Sequence, residues 1–273
     1  MNGEKATLPT RVGHAEWGDN RFRGYSVARD LAGAESVTGL IALALAERRL
    51  DENERRMLDD MATVTNVADP RIWPLKLVRV TSAYGGCHAA MAAVTVSLEG
   101  ALIGQQAAGR AAEVLVHLRD RLLADKVTAA SEDRILEEHC RRLLADQGRP
   151  FGFDVPFRAR DEKVDMLIER VAARGRSDLP YWRLFTKSAE ILARIGNVQP
   201  NMPVAAGAIC LDLGFTLPQI GPLMTAIGTA GYWANAFEGA EQSPACLQTL
   251  PEGTVRYVGP SPRKSPRALS AKC

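Results

Sequence analysis

An all-α fold is what this sequence predicts, on three observations. Apolar residues recur at the three-and-four spacing of a single helix face in one segment after another between Glu35 and Phe237. Two stretches, His88 to Leu98 and Val204 to Leu213, are almost wholly small or apolar, as expected of helices covered on most sides. The alternation of a half-buried strand is missing everywhere except Thr254 to Val258.

The elements follow in order. Residues 1–34 read as an arm, polar and glycine-rich, with Trp17, Phe22 and Tyr25 as isolated anchors; an irregular arm of this kind lies over a core or crosses to a partner subunit. Val37, Leu40, Ile41, Ala44 and Leu45 then mark a helix, and Asp51 opens a second one, so that a helical hairpin is expected over 35–61. Pro74 suits the first turn of the next helix, which breaks at Gly85-Gly86 before the apolar stretch 88–98, read as a central helix. Gly104 to Leu123 and Ser131 to Ala145 are amphipathic. Gly148, Pro150, Gly152 and Pro156 mark a breaker-rich loop, a candidate binding loop, before a helix resumes at Asp161. Pro180 opens another helix, the apolar run 204–213 gives another, and Thr216-Leu217-Pro218 caps a last long helix reaching Phe237. The tail 261–273, rich in Pro, Ser, Lys and Arg, is expected to be disordered.

Composition narrows the function classes. With 273 residues, 46% of them hydrophobic, the chain can bury a large core, in one domain or in a large one with a smaller companion. The 34 Lys+Arg against 32 Asp+Glu leave a formal charge of +2, which argues against nucleic acid or a membrane surface as partner and requires a local cluster for any anionic ligand. Five scattered cysteines without metal-ligand spacing fit a reducing, cytoplasmic setting. Neither a signal peptide nor a membrane span is expected. Without a glycine-rich phosphate loop or an H-E-x-x-H helix, nucleotide hydrolysis, NAD chemistry and zinc catalysis lack support.

Six short motifs, in order along nearly the whole chain, carry a family resemblance. Arg23-Gly24-Tyr25-Ser26-Val27 with Asp30-Leu31 resembles R-G-Y-x-I-x-x-L, and Leu98-Glu99-Gly100-Ala101-Leu102-Ile103-Gly104 resembles L-x-G-P-L-H-G. Phe151 to Pro156 resembles G-F-G-H-x-V, and Pro200-Asn201-Met202-Pro203 resembles P-N-V-D. Thr229-Ala230-Gly231-Tyr232 with Glu238 resembles T-A-G-W and its helix, and Arg256-Tyr257-Val258-Gly259-Pro260 resembles a C-terminal strand. These are motifs of the citrate synthase superfamily, and the short citryl-CoA lyase-like and ATP-citrate lyase modules are the most similar branch. The resemblance implies a homodimer of helical subunits, each with a large domain (35–147 and 201–260) and a smaller closing domain (148–200) whose loop approaches an acyl-coenzyme A thioester. It implies no permanently bound cofactor, with coenzyme A entering as part of the substrate.

The resemblance also implies a changed active site. Condensation through a thioester enol needs a base for the α-proton and donors for two carbonyl oxygens. The family places these roles on two His and one Asp, where this chain has Ile103, Val155 and Pro203, none of which can donate or accept a proton. The histidine of the family's A-D-H motif is Pro70 here, and the arginine of D-P-R corresponds to Lys163, which keeps the charge without the bidentate grip.

Several polar residues near the implied cleft are candidates instead, each with an ordinary structural alternative. Asp154, next to Val155, is either a replacement base or a turn residue. Arg158 and Arg160 either face a coenzyme A phosphate or are solvated loop charges. Asp69 and Arg71 either bind a polar substrate group or cap a helix. His88, with Tyr84 and Cys87 nearby, either supplies acid–base chemistry or bonds to backbone at a helix start. Arg256 joins Lys163 as a candidate substrate contact, and His14, His117 and His139 read as solvated. Two functions compete on this reading. One is a divergent enzyme acting on an acyl-CoA thioester or small carboxylate, by carbon–carbon cleavage or formation or a related hydrolysis. The other is a non-catalytic subunit or ligand sensor, pairing with an active relative.

Overall fold

The computed structural model describes residues 8–98, 104–125, 128, 130–155, 159–242 and 252–261. The described residues are built almost entirely from helices. They are α1 (Val37–Ala46), α2 (Glu52–Thr65), α3 (Trp73–Ser97), α4 (Gln106–Ala124), α5 (Glu132–Gln147), α6 (Glu162–Ala173), α7 (Pro180–Gly196), α8 (Met202–Asp212), α9 (Leu217–Ile227) and α10 (Ala230–Ala240). The predicted all-α class is the one observed.

Local chemistry explains most helix starts. The Ser36 hydroxyl accepts from the Gly39 amide at the head of α1, and Asp51 and Glu54 form a reciprocal capping box on α2. Pro74, Pro180, Pro203 and Pro218 each occupy a helix first turn, where the missing N–H costs nothing. Other caps come from remote side chains. Asp212, at the end of α8, accepts from the backbone N–H groups of Tyr181 and Trp182 at the start of α7. Asp161 accepts from the Lys163 amide of α6 and, at 2.8 Å, from the Met202 amide that opens α8.

The core lies around α8, which packs against α4 and α7; from Val204 to Cys210 every residue is buried. Burying this helix on all sides requires small residues. Gly207 sits where an added Cβ would come within 2.9 Å of the Ala108 carbonyl oxygen of α4. Around it Leu115, Leu118, Phe153, Phe185, Leu192 and Ile220 close a single large cluster.

Four segments differ from the sequence expectation. The arm is a three-stranded antiparallel meander, β1 (Gly13–Glu16), β2 (Asp19–Phe22) and β3 (Tyr25–Ser26), because tight turns let the chain pair with itself. Arg23 ties it to α1 by donating to the Ala44 carbonyl at 2.6 Å and to Glu47 at 2.8 Å. The stretch 88–98 is the second half of α3, kinked at Gly86, and lies at the periphery: it packs on α10 in a small separate cluster and leaves Val96 75% exposed. The expected long final helix is two helices, α9 and α10, parted at Gly228-Thr229. Residues 254–258 are an exposed irregular segment, since no neighbouring strand among the described residues completes its hydrogen bonds. The expected disordered tail lies, apart from Ser261, outside the described residues.

Among the described residues no single helix is long and apolar enough to cross a membrane. None of their His, Cys, Asp and Glu side chains gather in threes that could hold a metal ion.

Candidate functional site

A cavity of about 230 Å³ opens where several helix ends converge. The end of α2 contributes Thr65, and the connection to α3 contributes Val67 and Ile72. Both ends of α3 reach it, through Pro74 and Leu75 at one end and Leu98 at the other, because the kink at Gly86 folds the two halves back. The start of α4 supplies Gly104, Gln105, Ala107 and Ala108; the start of α8 supplies Met202 and Pro203; Met224, Gly228 and Tyr232 complete the wall. The α2–α3 connection is pinned to α10 by backbone proximity. A Cβ on Gly231 would stand 1.9 Å from the Val67 carbonyl oxygen, so only glycine fits. Asn66 accepts from the Gly231 amide at 2.8 Å, and Asn235 donates to the Ala68 carbonyl at 3.0 Å.

The polar side chains among the described lining residues are Thr65, Gln105 and Tyr232. The Tyr232 hydroxyl bonds to the Gln105 side chain, and burial pushes its pKa up, so it is a neutral donor across the physiological range. Gln105 Oε1 is buried without a hydrogen-bond partner. Just behind the wall, the Lys163 ammonium donates to the Thr65 carbonyl at 3.5 Å.

The sequence candidates are spread around this cavity. Pro203 is in its wall and Ile103 and Arg158 lie outside the described residues. Val155 is half-buried in the loop 148–155 and is not part of the lining. Beside it the Asp154 carboxylate pairs with Arg149 at 2.5 Å, while its carbonyl accepts from Asn201 at 2.9 Å. Asp69 and Arg71 pair with each other, and Asp69 also accepts from the Arg71 amide as a turn residue ahead of α3. Arg160 pairs with Asp165, which holds its pKa up. Arg256 is on the exposed segment after residue 251. Tyr84 is 60% exposed and His88 meets the edge of Trp233 at 5.9 Å, both at the middle of α3, away from the two ends that form the cavity.

His139, expected in solvent, is buried and bonds to Asp125 at 2.8 Å, because the face of α5 that carries it turns toward the end of α4. Gln105 and Tyr232 were not selected from the sequence. Two consecutive amides, Gln105-Gln106, in a run otherwise made of Gly and Ala mark the first, and Tyr232 ends the stretch Thr229-Ala230-Gly231-Tyr232 that resembles T-A-G-W.

A larger groove, about 680 Å³, runs between the β-meander and α1. Its buried carboxylate, Glu35, is already satisfied by Arg49 at 3.0 Å and Arg55 at 3.2 Å, and of its other polar side chains His14 pairs with Glu16 and Arg21 with Asp19. It has no converging polar groups of the kind that orient a reacting ligand.

No protein-family model matches this chain, and no curated protein matches its sequence. Solved structures match its fold. Citryl-CoA lyase from Hydrogenobacter thermophilus superposes with a TM-score of 0.78 at 18% identity, over 97% of this chain and 100% of that one. ATP citrate lyase from Methanothrix soehngenii, in complex with citrate and coenzyme A, gives 0.72 at 15% identity, over 94% of this chain and 42% of that one. Citrate synthase from Thermoplasma acidophilum, with carboxymethyl coenzyme A and oxaloacetate, gives 0.62 at 16% identity, over 85% and 59%. On these similarities the chain has the citrate synthase-like helical fold.

Proposed function

We propose that this chain is a citrate synthase-like enzyme acting on an acyl-coenzyme A thioester, making or breaking a carbon–carbon bond or hydrolysing a related acid, without the family's His/His/Asp set. The observation that carries the proposal is the cavity between the starts of α4 and α8, the place the motif resemblance assigns to the substrate cleft, with Pro203 in its wall. Its donors suit a thioester carbonyl. Tyr232 and the Gln105 amide can hydrogen-bond a developing oxyanion, and the positive end of the 19-residue helix α4 adds to that stabilisation. Coenzyme A enters as substrate rather than as a resident group. Asp154, on the loop tied to Asn201 just ahead of α8, is the residue proposed to move protons, whereas Tyr84 and His88 stand at the middle of α3, away from the cavity; Asp69, Arg71, Arg158, Arg160, Lys163 and Arg256 are proposed to meet the polar parts of the ligand.

A homodimer belongs to the same reading. The flank made by α3 and α10 leaves Trp73, Val96, Trp233 and Phe237 exposed, apolar side chains that a partner subunit would cover. Calorimetric titration with coenzyme A and acetyl-coenzyme A, followed by a free-thiol assay, tests the proposal. Binding with thiol release that falls on Asp154→Ala is expected; a sample that binds neither compound overturns it.

A second reading has its own observation. No carboxylate, histidine or amine belongs to the described lining, so the cavity has no base there for abstracting an α-proton at neutral pH. A ligand-binding subunit that pairs with an active relative fits that lining, and turnover by the isolated chain would end it.

A further inference from the structure

We propose that the far end of α4 carries a second binding site, for a carboxylate with a short aliphatic tail; it does not rest on the function proposed above. A cavity of about 240 Å³ lies there, between the end of α4, the start of α5 and the start of α7. It is about 20 Å along α4 from Ala107 and Ala108, which line the cavity described above. Two helices build it with the same design. Arg119, Leu122 and Leu123 fall at i, i+3 and i+4 on α4, and Pro180, Arg183 and Leu184 repeat that spacing on α7, so each helix turns one guanidinium and a leucine toward the same space.

The guanidinium groups are the first observation. Arg119 is half-buried, and its guanidinium lies over the Tyr181 ring, 4.5 Å from the centroid, which orients the fork without using its N–H groups. It acts on the Asp212 carboxylate only through space, because both oxygens of Asp212 are spent on the Tyr181 and Trp182 amides. Arg183 comes no closer than 4.0 Å to Glu132, and Lys187 already holds that carboxylate at 2.9 Å. Lys187 takes Asp133 as well, at 2.7 Å. Among the described residues, then, both arginines bring their forks to the cavity and neither side chain is spent on a hydrogen bond. A planar carboxylate accepts two parallel N–H bonds from such a fork, and it relieves the repulsion of two like charges facing one space.

The apolar floor is the second observation, and it selects the tail. Leu184 is buried, Leu122 half-buried, and Leu123, at the rim, is 67% exposed. A lone exposed leucine is ordinary surface. Beside two unspent guanidinium groups it gives an anion's hydrocarbon chain somewhere to lie, and each CH₂ set against the leucines leaves water. Size excludes a nucleotide or other drug-sized ligand, since about 240 Å³ is below the space such molecules fill. The occupant joins the end of α4 to the start of α7.

The test is isothermal calorimetry on the full-length protein with hexanoate, acetate, hexylammonium and inorganic phosphate. Hexanoate is expected to bind at least about tenfold more tightly than acetate, through its buried methylenes, and hexylammonium is expected to give no saturable heat. Arg119→Gln and Arg183→Gln are each expected to weaken hexanoate about tenfold, the effect of losing hydrogen bonds to a charged group. The Arg183 side chain is 52% exposed, so its variant keeps the test decisive even if Arg119→Gln fails to fold. Absence of hexanoate binding, or hexylammonium binding as tightly as hexanoate, overturns the site. Equal affinity for acetate and hexanoate, or tighter binding of phosphate, overturns the aliphatic carboxylate as its ligand. Hexanoate affinity unchanged in either folded variant places the ligand elsewhere on the protein and overturns the proposal too.

Discussion

The stretches 88–98 and 204–213 have nearly the same apolar composition and opposite surroundings. In α8 every residue from Val204 to Cys210 is buried, with α4, α6 and α7 packed around it. In the second half of α3, Ala90 and Val94 pack on α10 while Ala89, Ala92, Thr95 and Val96 face outward. Composition sets how much surface a helix would gain by being covered; it does not set how many neighbours the chain itself provides. One helix found its cover within the subunit. The other has an apolar side left for something else, and a partner subunit is the occupant proposed above.

Four experiments break or sharpen this contrast. The largest effect is expected from truncating matched aliphatic residues. Ile209→Ala in α8 should cost about 2–5 kcal/mol in chemical denaturation, whereas Val96→Ala in α3 should stay within about 0.5 kcal/mol in the dissociated subunit. Equal costs would mean that α3 is covered after all. Next comes Gly86→Ala. Gly86 has φ 80° and ψ 171°, a conformation reserved for glycine, and an added Cβ meets nothing within 4 Å. The cost is therefore backbone strain alone, about 1–3 kcal/mol, and straightening α3 would also pull Leu75 and Leu98 apart at the cavity. A change in the melting temperature without loss of ligand binding would separate the kink from the site.

Thiol reactivity probes these two helices, with α5 as a second buried reference, without destabilising them. Burial pushes the Cys210 thiol up to about 12 and the Cys140 thiol to about 11, so neither holds thiolate at neutral pH. Cys87 is half-buried on α3. Alkylation followed by peptide mapping should modify Cys87 under native conditions and reach Cys210 and Cys140 only on unfolding. Rapid native labelling of Cys210 would show that the α8 core opens. The smallest effect concerns Glu137, whose carboxylate is held at about 2 by Arg194 and Arg141. Its pKa is lowered in the folded state, so its contribution is present above the unfolded value and is lost as pH falls from about 4.5 toward about 2. The pair is exposed, and added salt should shrink the difference between wild type and Glu137→Gln across that window.

The helices were legible where their signals are local. Asp51 and Glu54 supply a capping box within four residues, and Pro74 and Pro180 announce first turns. The division between α9 and α10 was not, because Gly228 carries no signal strong enough against an otherwise helical apolar run. The meander was hidden by its exposure: a hairpin with little buried on either face has no clean alternation to read. For the cavity, two of the motifs read from the sequence contribute wall residues, Pro203 from Pro200–Pro203 and Gly104 from Leu98–Gly104. Gln105 and Tyr232 stayed unseen, since an amide on α4 and a phenol on α10 become a pair only when the chain folds.

By itself the sequence determined the helices, their order and the apolar faces that had to be covered, because propensity, capping and periodicity act within a few turns of chain. Tertiary structure decided which apolar stretch became the centre, which side chains capped distant helices, and which polar groups met in the cavity. Asp161 joining α6 to α8, Asp212 capping α7, and Gln105 beside Tyr232 are contacts between residues far apart in sequence, fixed only by the packing of whole helices.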